Sequence, residues 1–167
     1  MSGWPAVIVV RVERPEDQAD VRRVIEAAFG RRHEAALVDA LRAEADLAVS
    51  LIASVAGTCV GYAGLPRMRS PAGALALAPV AVLPEWQRRG VGKTLIAAAL
   101  EAARRDGFAT VFVLGDPGYY GRSGFTAAAA TRFPCVYSGP HFMAVHLSRD
   151  GPEAAPAIFA RAFDSLD

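Results

Sequence analysis

Eight consecutive residues, Gln87-Arg88-Arg89-Gly90-Val91-Gly92-Lys93-Thr94, carry the types and spacing best suited to chemistry in this chain. Glycines let backbone approach a ligand closely. At a helix entrance the amides converge on one point with the helix dipole behind them. Arg88, Arg89 and Lys93 add full charges, so the segment reads as a phosphate or pyrophosphate site. Lys93 is also the only lysine in the sequence. A dinucleotide fingerprint requires a third glycine where this chain has Leu95. A nucleotide P-loop ends as Gly92-Lys93-Thr94 does, but its opening glycine falls on Gln87.

The elements that must hold this loop are legible around it. Ala74 to Leu83 is a continuous apolar run stopped by Pro84, which predicts a strand buried on both faces at the centre of a sheet. Beyond the loop, Leu95, Ile96, Ala99, Leu100 and Ala103 recur at helical spacing, with Gly107 as the stop. Val7–Val12, Val49–Val55, Cys59–Gly64 and Thr110–Leu114 read as strands, and Thr126–Val136 with Phe142–Leu147 as a closing pair. Helices are expected from Pro15 to Gly30, from His33 to Ala45, briefly within Tyr119–Gly124, and in a tail from Pro152 to Leu166. The order predicts one mixed α/β domain over residues 1–150, followed by a C-terminal helix over 151–167 that closes the core or forms a dimer contact.

Composition bounds the partners. Eighteen Lys and Arg against 17 Asp and Glu give a net charge of +1, too little for a surface that tracks nucleic acid. Hydrophobic residues make up 53% of the 167 positions, which excludes a disordered chain. Cys59 and Cys135 lack metal or redox spacing, and no cluster suggests a metal. The apolar runs are too short for a bilayer span or a signal peptide, so a cytoplasmic protein with no membrane partner is expected.

Gln87-x-x-Gly90-x-Gly92, following Val82-Leu83-Pro84, resembles the acyl-CoA signature of the GNAT superfamily of N-acetyltransferases. Tyr120-Gly121-Arg122-Ser123-Gly124-Phe125 resembles that family's Y-x-x-x-G-F segment, in the expected place after the next strand. Asp116–Tyr120 and Phe142–Val145 further resemble a branch of uncharacterised bacterial members. The resemblance implies the GNAT fold, a mixed and mostly antiparallel sheet splayed at the acyl-CoA site and flanked by helices. It implies acetyl-CoA as cosubstrate, a primary amine as acceptor, and direct attack through a tetrahedral intermediate. Val80, Ala81 and Val82 would meet the pantetheine arm as an added strand would. Gln87, Arg88, Arg89, Gly90, Val91, Gly92, Lys93 and Thr94 would bind the cofactor, with the pyrophosphate on the loop amides from Arg88 to Lys93. Tyr120 would be the general acid for the departing thiolate, with Tyr119 packing or touching substrate.

The general base is less plain. Some relatives place a glutamate on the strand before the glycine loop, whereas Ala74–Leu83 holds no acid. Glu34 is the first candidate, as base or substrate contact, with His33 and Asp116 behind it. That missing carboxylate motivates an alternative, a non-catalytic acyl-CoA-binding module. Arg67 and Arg69 form either an acceptor-attracting loop or a solvated one, and Trp86 packs beside the cofactor loop. A monomer and a homodimer are both compatible with the sequence.

Overall fold

The protein is described by a computed structural model over residues 6–149 and 151–165. Short β-branched runs bounded by turns form the first three strands, β1 (Ile8–Val12), β2 (Leu47–Val55) and β3 (Thr58–Pro66). They pair antiparallel in sequence order, with β2 and β3 joined through a turn at Ala56-Gly57. Between β1 and β2 lie α1 (Gln18–Phe29) and α2 (His33–Ala43). Val21, Val24 and Ile25 form the buried stripe of α1, and Gly30 ends the helix in a left-handed conformation. Asp17 ties the start of this layer to β1. Its carboxylate takes two hydrogen bonds from Arg11, at 2.7 and 2.9 Å, and one from the Arg14 amide at 2.7 Å.

The apolar run Ala74–Leu83 is two strands, not one. β4 (Ala74–Ala76) runs parallel to β6 (Thr110–Leu114), while β5 (Val80–Val82) runs antiparallel to β3. The chain changes neighbours at residues 77–79. Leu77 N–H still bonds Phe112 O at 2.8 Å, but Ala78 N–H already bonds Gly64 O at 3.0 Å. Pro79, with no N–H of its own, only accepts, taking the Gly64 amide at 3.1 Å. The result is a four-stranded sheet, β1-β2-β3-β5, and a three-stranded sheet, β4-β6-β7, with β7 at Phe142–His146. The expected sheet splayed next to its glycine loop is present in this form.

Helix α3 (Val91–Arg105) crosses from β5 to β6, burying Leu95, Ile96, Ala99 and Ala103. Its stripe packs so closely on β3 that a Cβ at Gly61 would meet Leu95 and Val91 at 2.9 Å each. The second sheet has a core of its own, in which Phe112 stacks on Phe142 at 5.4 Å and meets the edge of Phe133 at 5.2 Å.

Two expectations need correction. Thr126–Val136 is not a strand: Thr126 makes one bridge to Ala144, and Ala128–Ala130 then form a 3₁₀ turn. The Thr126 hydroxyl accepts the Ala129 amide at 3.1 Å, a local bond that competes with a ladder. The tail is not a helix over 151–165; only Arg161–Ser165 form a 3₁₀ turn, and Leu166 lies outside the described residues. Pro152 and Pro156 oppose helix in the residues before them. The tail instead packs on the domain as extended chain. Ile158 pairs with Ser70, and Ala160 and Ala162 bury against Leu37 and Leu41 of α2.

Candidate functional site

Beside β5, where the chain has left β6 for β3, a cleft of about 590 Å³ opens. Its lining is Val80 and Val82 from β5, Gln87, Arg88, Gly90, Gly92 and Lys93 from the loop, Tyr119, Tyr120 and Arg122 from the segment after β6, and Ala28 and Phe29 from the end of α1. This brings the two sequence motifs into one site.

The strand alternation decides which β5 groups the cleft receives. Pro79 O and Leu83 N–H bond β3, through Gly64 and Val60, and Ala81 is paired opposite Tyr62. In an antiparallel strand both backbone groups of a residue face the same way, and successive residues alternate. The N–H and C=O of Val80 and Val82 therefore face the cleft, and Ala81 faces β3. Ala81 is accordingly a core residue, 2% exposed, and not a cleft contact. Gln87 reaches back and donates to Val82 O at 3.2 Å, which fixes the loop on the strand.

At the loop, Arg88 and Gly90 both have positive φ, +63° and +86°, and together they aim the chain into α3. Thr94 N–H bonds Gly90 O at 3.0 Å, and the Thr94 hydroxyl donates to the same oxygen at 2.7 Å. The preceding amides of the first turn, Val91, Gly92 and Lys93, have no carbonyl one turn back in the helix to bond. They form a donor cluster at the positive end of a 15-residue helix. Arg88, Lys93 and Arg122 line the same cleft. Arg89 does not join them; its guanidinium lies over the Trp86 ring at 5.0 Å. The Val91 side chain is in the core, 1% exposed, so it offers the cleft only its amide.

Tyr120 stands on the opposite wall. Gly115 supports it: a Cβ there would lie 2.5 Å from Tyr120 Cε2. Tyr119 at 4.9 Å and Phe125 at 6.0 Å meet its ring edge-on. Burial pushes the Tyr120 hydroxyl up to about pKa 12, with a smaller contribution from Tyr119. The phenol is thus protonated throughout the neutral range and has a proton to give, while burial makes it a weaker acid than an exposed phenol.

The candidate bases are elsewhere. Glu34 accepts from Arg31 Nε at 2.8 Å, in the turn before α2, and is absent from the cleft lining. Asp116 caps α4 (Pro117–Tyr120), accepting the Gly118 amide at 2.9 Å. His33 is exposed at the start of α2. Among the described residues the cleft lining holds three cations and no Asp, Glu or His. Arg67 and Arg69 also serve the fold: Arg67 donates to Ala45 O at 3.2 Å, and Arg69 holds Asp164 of the tail at 3.2 Å. No group of three or more His, Cys, Asp or Glu converges to hold a metal among the described residues. None of their helices is long and apolar enough to cross a membrane.

Sequence reasoning missed Ala28, Phe29 and Arg122 as cleft residues. Arg122 lies inside the Tyr120–Phe125 motif, so its place was available. Phe29 stands four residues after Ile25, at the helical spacing of the buried stripe of α1, yet it is 39% exposed at the helix end.

The profile of the acetyltransferase (GNAT) family matches residues 18–125. The uncharacterized N-acetyltransferase YjhQ of Escherichia coli K12 is 41% identical over 133 residues, covering 74% of this chain and 73% of that protein. A GNAT family acetyltransferase from Brucella melitensis, solved in complex with acetyl-CoA, superposes with a TM-score of 0.80 at 33% identity, over 95% of this chain and 99% of its own. The Escherichia coli GNAT family N-acetyltransferase YhbS, solved with CoA, gives a TM-score of 0.89 at 25% identity, over 100% and 97% of the two chains.

Proposed function

From the premise that this chain belongs to the GNAT acetyltransferase family, and so is an acyl-CoA-dependent N-acetyltransferase, we propose that its cleft holds acetyl-CoA and passes the acetyl group directly to an amine. The observation that carries this reading is the convergence of three features in one cleft: the outward edge of Val80 and Val82, the amides at the start of α3, and Tyr120. Each suits one part of the donor. The α3 amides, with Arg88 and Lys93, suit the pyrophosphate. The N–H and C=O of Val80 suit the amides of the pantetheine arm, which would lie along β5 as a strand would. Fit is supported by Gly90, where a side chain would meet nothing within 4 Å and the approach is open.

In the proposed mechanism a neutral amine attacks the thioester carbonyl. The Val82 N–H faces the cleft and is the candidate donor to the oxyanion that forms there. As the tetrahedral intermediate collapses, the carbon–sulfur bond breaks and Tyr120 gives its proton to the leaving thiolate. No carboxylate or imidazole lines the cleft among the described residues, so the proton of the acetylated nitrogen is read as leaving to solvent, and Tyr120 as regaining its proton from solvent. We read the protein as acting in the cytoplasm, where the free thiols Cys59 and Cys135 are at home.

Two measurements test this reading. Acetyl-CoA should raise the melting temperature, since saturation at a hundred times Kd adds about 2.7 kcal/mol. Lys93 and the N-terminus are the only primary amines in the sequence, so CoA should protect Lys93 from amine-directed labelling. No melting shift and no protection would sink the donor assignment. A panel of amines, read by release of free CoA, then identifies the acceptor class.

A further inference from the structure

Gly92 faces a side chain where Gly90 faces open space. A Cβ at Gly92 would lie 2.1 Å from the Tyr119 hydroxyl oxygen, 3.5 Å from Tyr119 Cζ and 3.7 Å from Val82 Cγ2. The hydroxyl therefore fills the space beside Gly92, in the first turn of α3. The same ring meets Tyr120 edge-on, with centroids 4.9 Å apart and planes at 90°. One side chain thus touches the phosphate end of the cleft with its hydroxyl and the proton-donor end with its ring. Nothing in the Tyr120 motif itself requires a tyrosine at the preceding position, and the glycine spacing alone explains Gly92 by phosphate approach. The contact gives both residues a second reason.

We propose that Tyr119 is a positioning residue: its hydroxyl donates to an anionic oxygen docked on α3, and its ring holds Tyr120 against Gly115. This rests on the reading that the donor's phosphates dock at α3. It adds that Gly92 lacks a side chain to make room for the Tyr119 hydroxyl, not only for the phosphates. Occupancy at one end of the cleft then sets the pose of the acid at the other.

The test is a double-mutant cycle on CoA affinity, measured by calorimetry, with steady-state kinetics beside it. Tyr119→Phe should weaken CoA binding about tenfold, the loss expected for a hydrogen bond to a charged group. It should raise KM for acetyl-CoA and keep kcat within about twofold. Tyr119→Ala should lower kcat as well, about tenfold, with the phenylalanine variant restoring it. Gly92→Ala displaces the hydroxyl, so the double variant Gly92→Ala/Tyr119→Phe should bind CoA no worse than the weaker single variant. Multiplicative losses in the double variant would overturn the proposal, because Gly92 would then serve the phosphates independently of Tyr119. So would wild-type affinity in Tyr119→Phe, or equal kcat in the Phe and Ala variants. If wild-type protein shows no heat of CoA binding, the donor assignment itself has failed, and this is known before any variant is made.

Discussion

Gly115→Ala asks whether the placement of Tyr120 matters to the reaction. Gly115 follows β6 and has an ordinary backbone conformation, so alanine brings no φ strain. Its new Cβ would stand 2.5 Å from Tyr120 Cε2 and 3.0 Å from Cδ2, against an ordinary contact that begins near 3.4 Å. The ring must give way by about an ångström. It has little freedom to do so quietly, because Tyr119 and Phe125 hold its other edges. A misplacement of about 1 Å in a catalytic group costs on the order of a hundredfold in rate. We therefore predict kcat lowered about 10²-fold, with KM for acetyl-CoA within about threefold. Overpacking of this kind also destabilises by ~1–3 kcal/mol, a fall in Tm of about 2–4 °C for each kcal/mol in a domain of this size. The assay is acetyl-CoA-dependent thiol release, with a melt of each variant to separate lost fold from lost chemistry. Tyr120→Phe should itself lower kcat by about 10²-fold or more. The double variant Gly115→Ala/Tyr120→Phe should be no slower than Tyr120→Phe alone, since both act through the same hydroxyl. Full kcat in Gly115→Ala, or losses that multiply in the double variant, would refute the assignment of Tyr120 as the acid.

Other predictions test neighbouring parts of the argument. Because burial lifts Tyr120 to about pKa 12, kcat should show no alkaline limb from its deprotonation between about pH 8 and 10. A limb near pH 10 in wild type that disappears in Tyr120→Phe would contradict this. The Arg11 and Arg14 contacts lower the Asp17 carboxyl from 3.8 to about 2, so the charged form favours the fold. Its stabilisation is full above about pH 4 and is lost as pH falls toward 2; Asp17→Asn should flatten the acid limb of a stability–pH curve over that window. Gly61→Ala pushes a Cβ into Leu95 and Val91 and should cost ~1–3 kcal/mol by urea melt, without a specific change in KM.

The sequence showed the cleft more clearly than the sheets that make it. Glycine spacing and the tyrosine motif are local signals, and Gln87, Arg88, Gly90, Gly92, Lys93 and Tyr120 did converge in one cleft. The apolar run Ala74–Leu83 was read as one strand because periodicity reports burial and not which neighbour a residue bonds. The change of partner between Leu77 and Pro79 depends on β3 and β6, which are distant in sequence. Glu34 failed as a cleft residue for a similar reason. Its position on α2 was legible, but its pairing with Arg31 was not. The alanines at 127–130 lie in the segment read as a strand, but alanine has no strong strand preference, and the Thr126 hydroxyl holds a turn there instead.

The outward edge of β5 carries a liability as well as a site. Unpaired strand edges are templates on which other chains add, and proteins keep such edges short or covered. This one is three residues long. Loop cations stand at one end and the tyrosine wall faces it. An incoming protein strand would have to bring its side chains past Tyr119 and Tyr120, while a thin arm without side chains would pass. The handover at Leu77–Pro79 therefore limits the edge to three residues, a length that a small extended ligand can cover. The break in the strand that opens the cleft thus also keeps its exposed edge short.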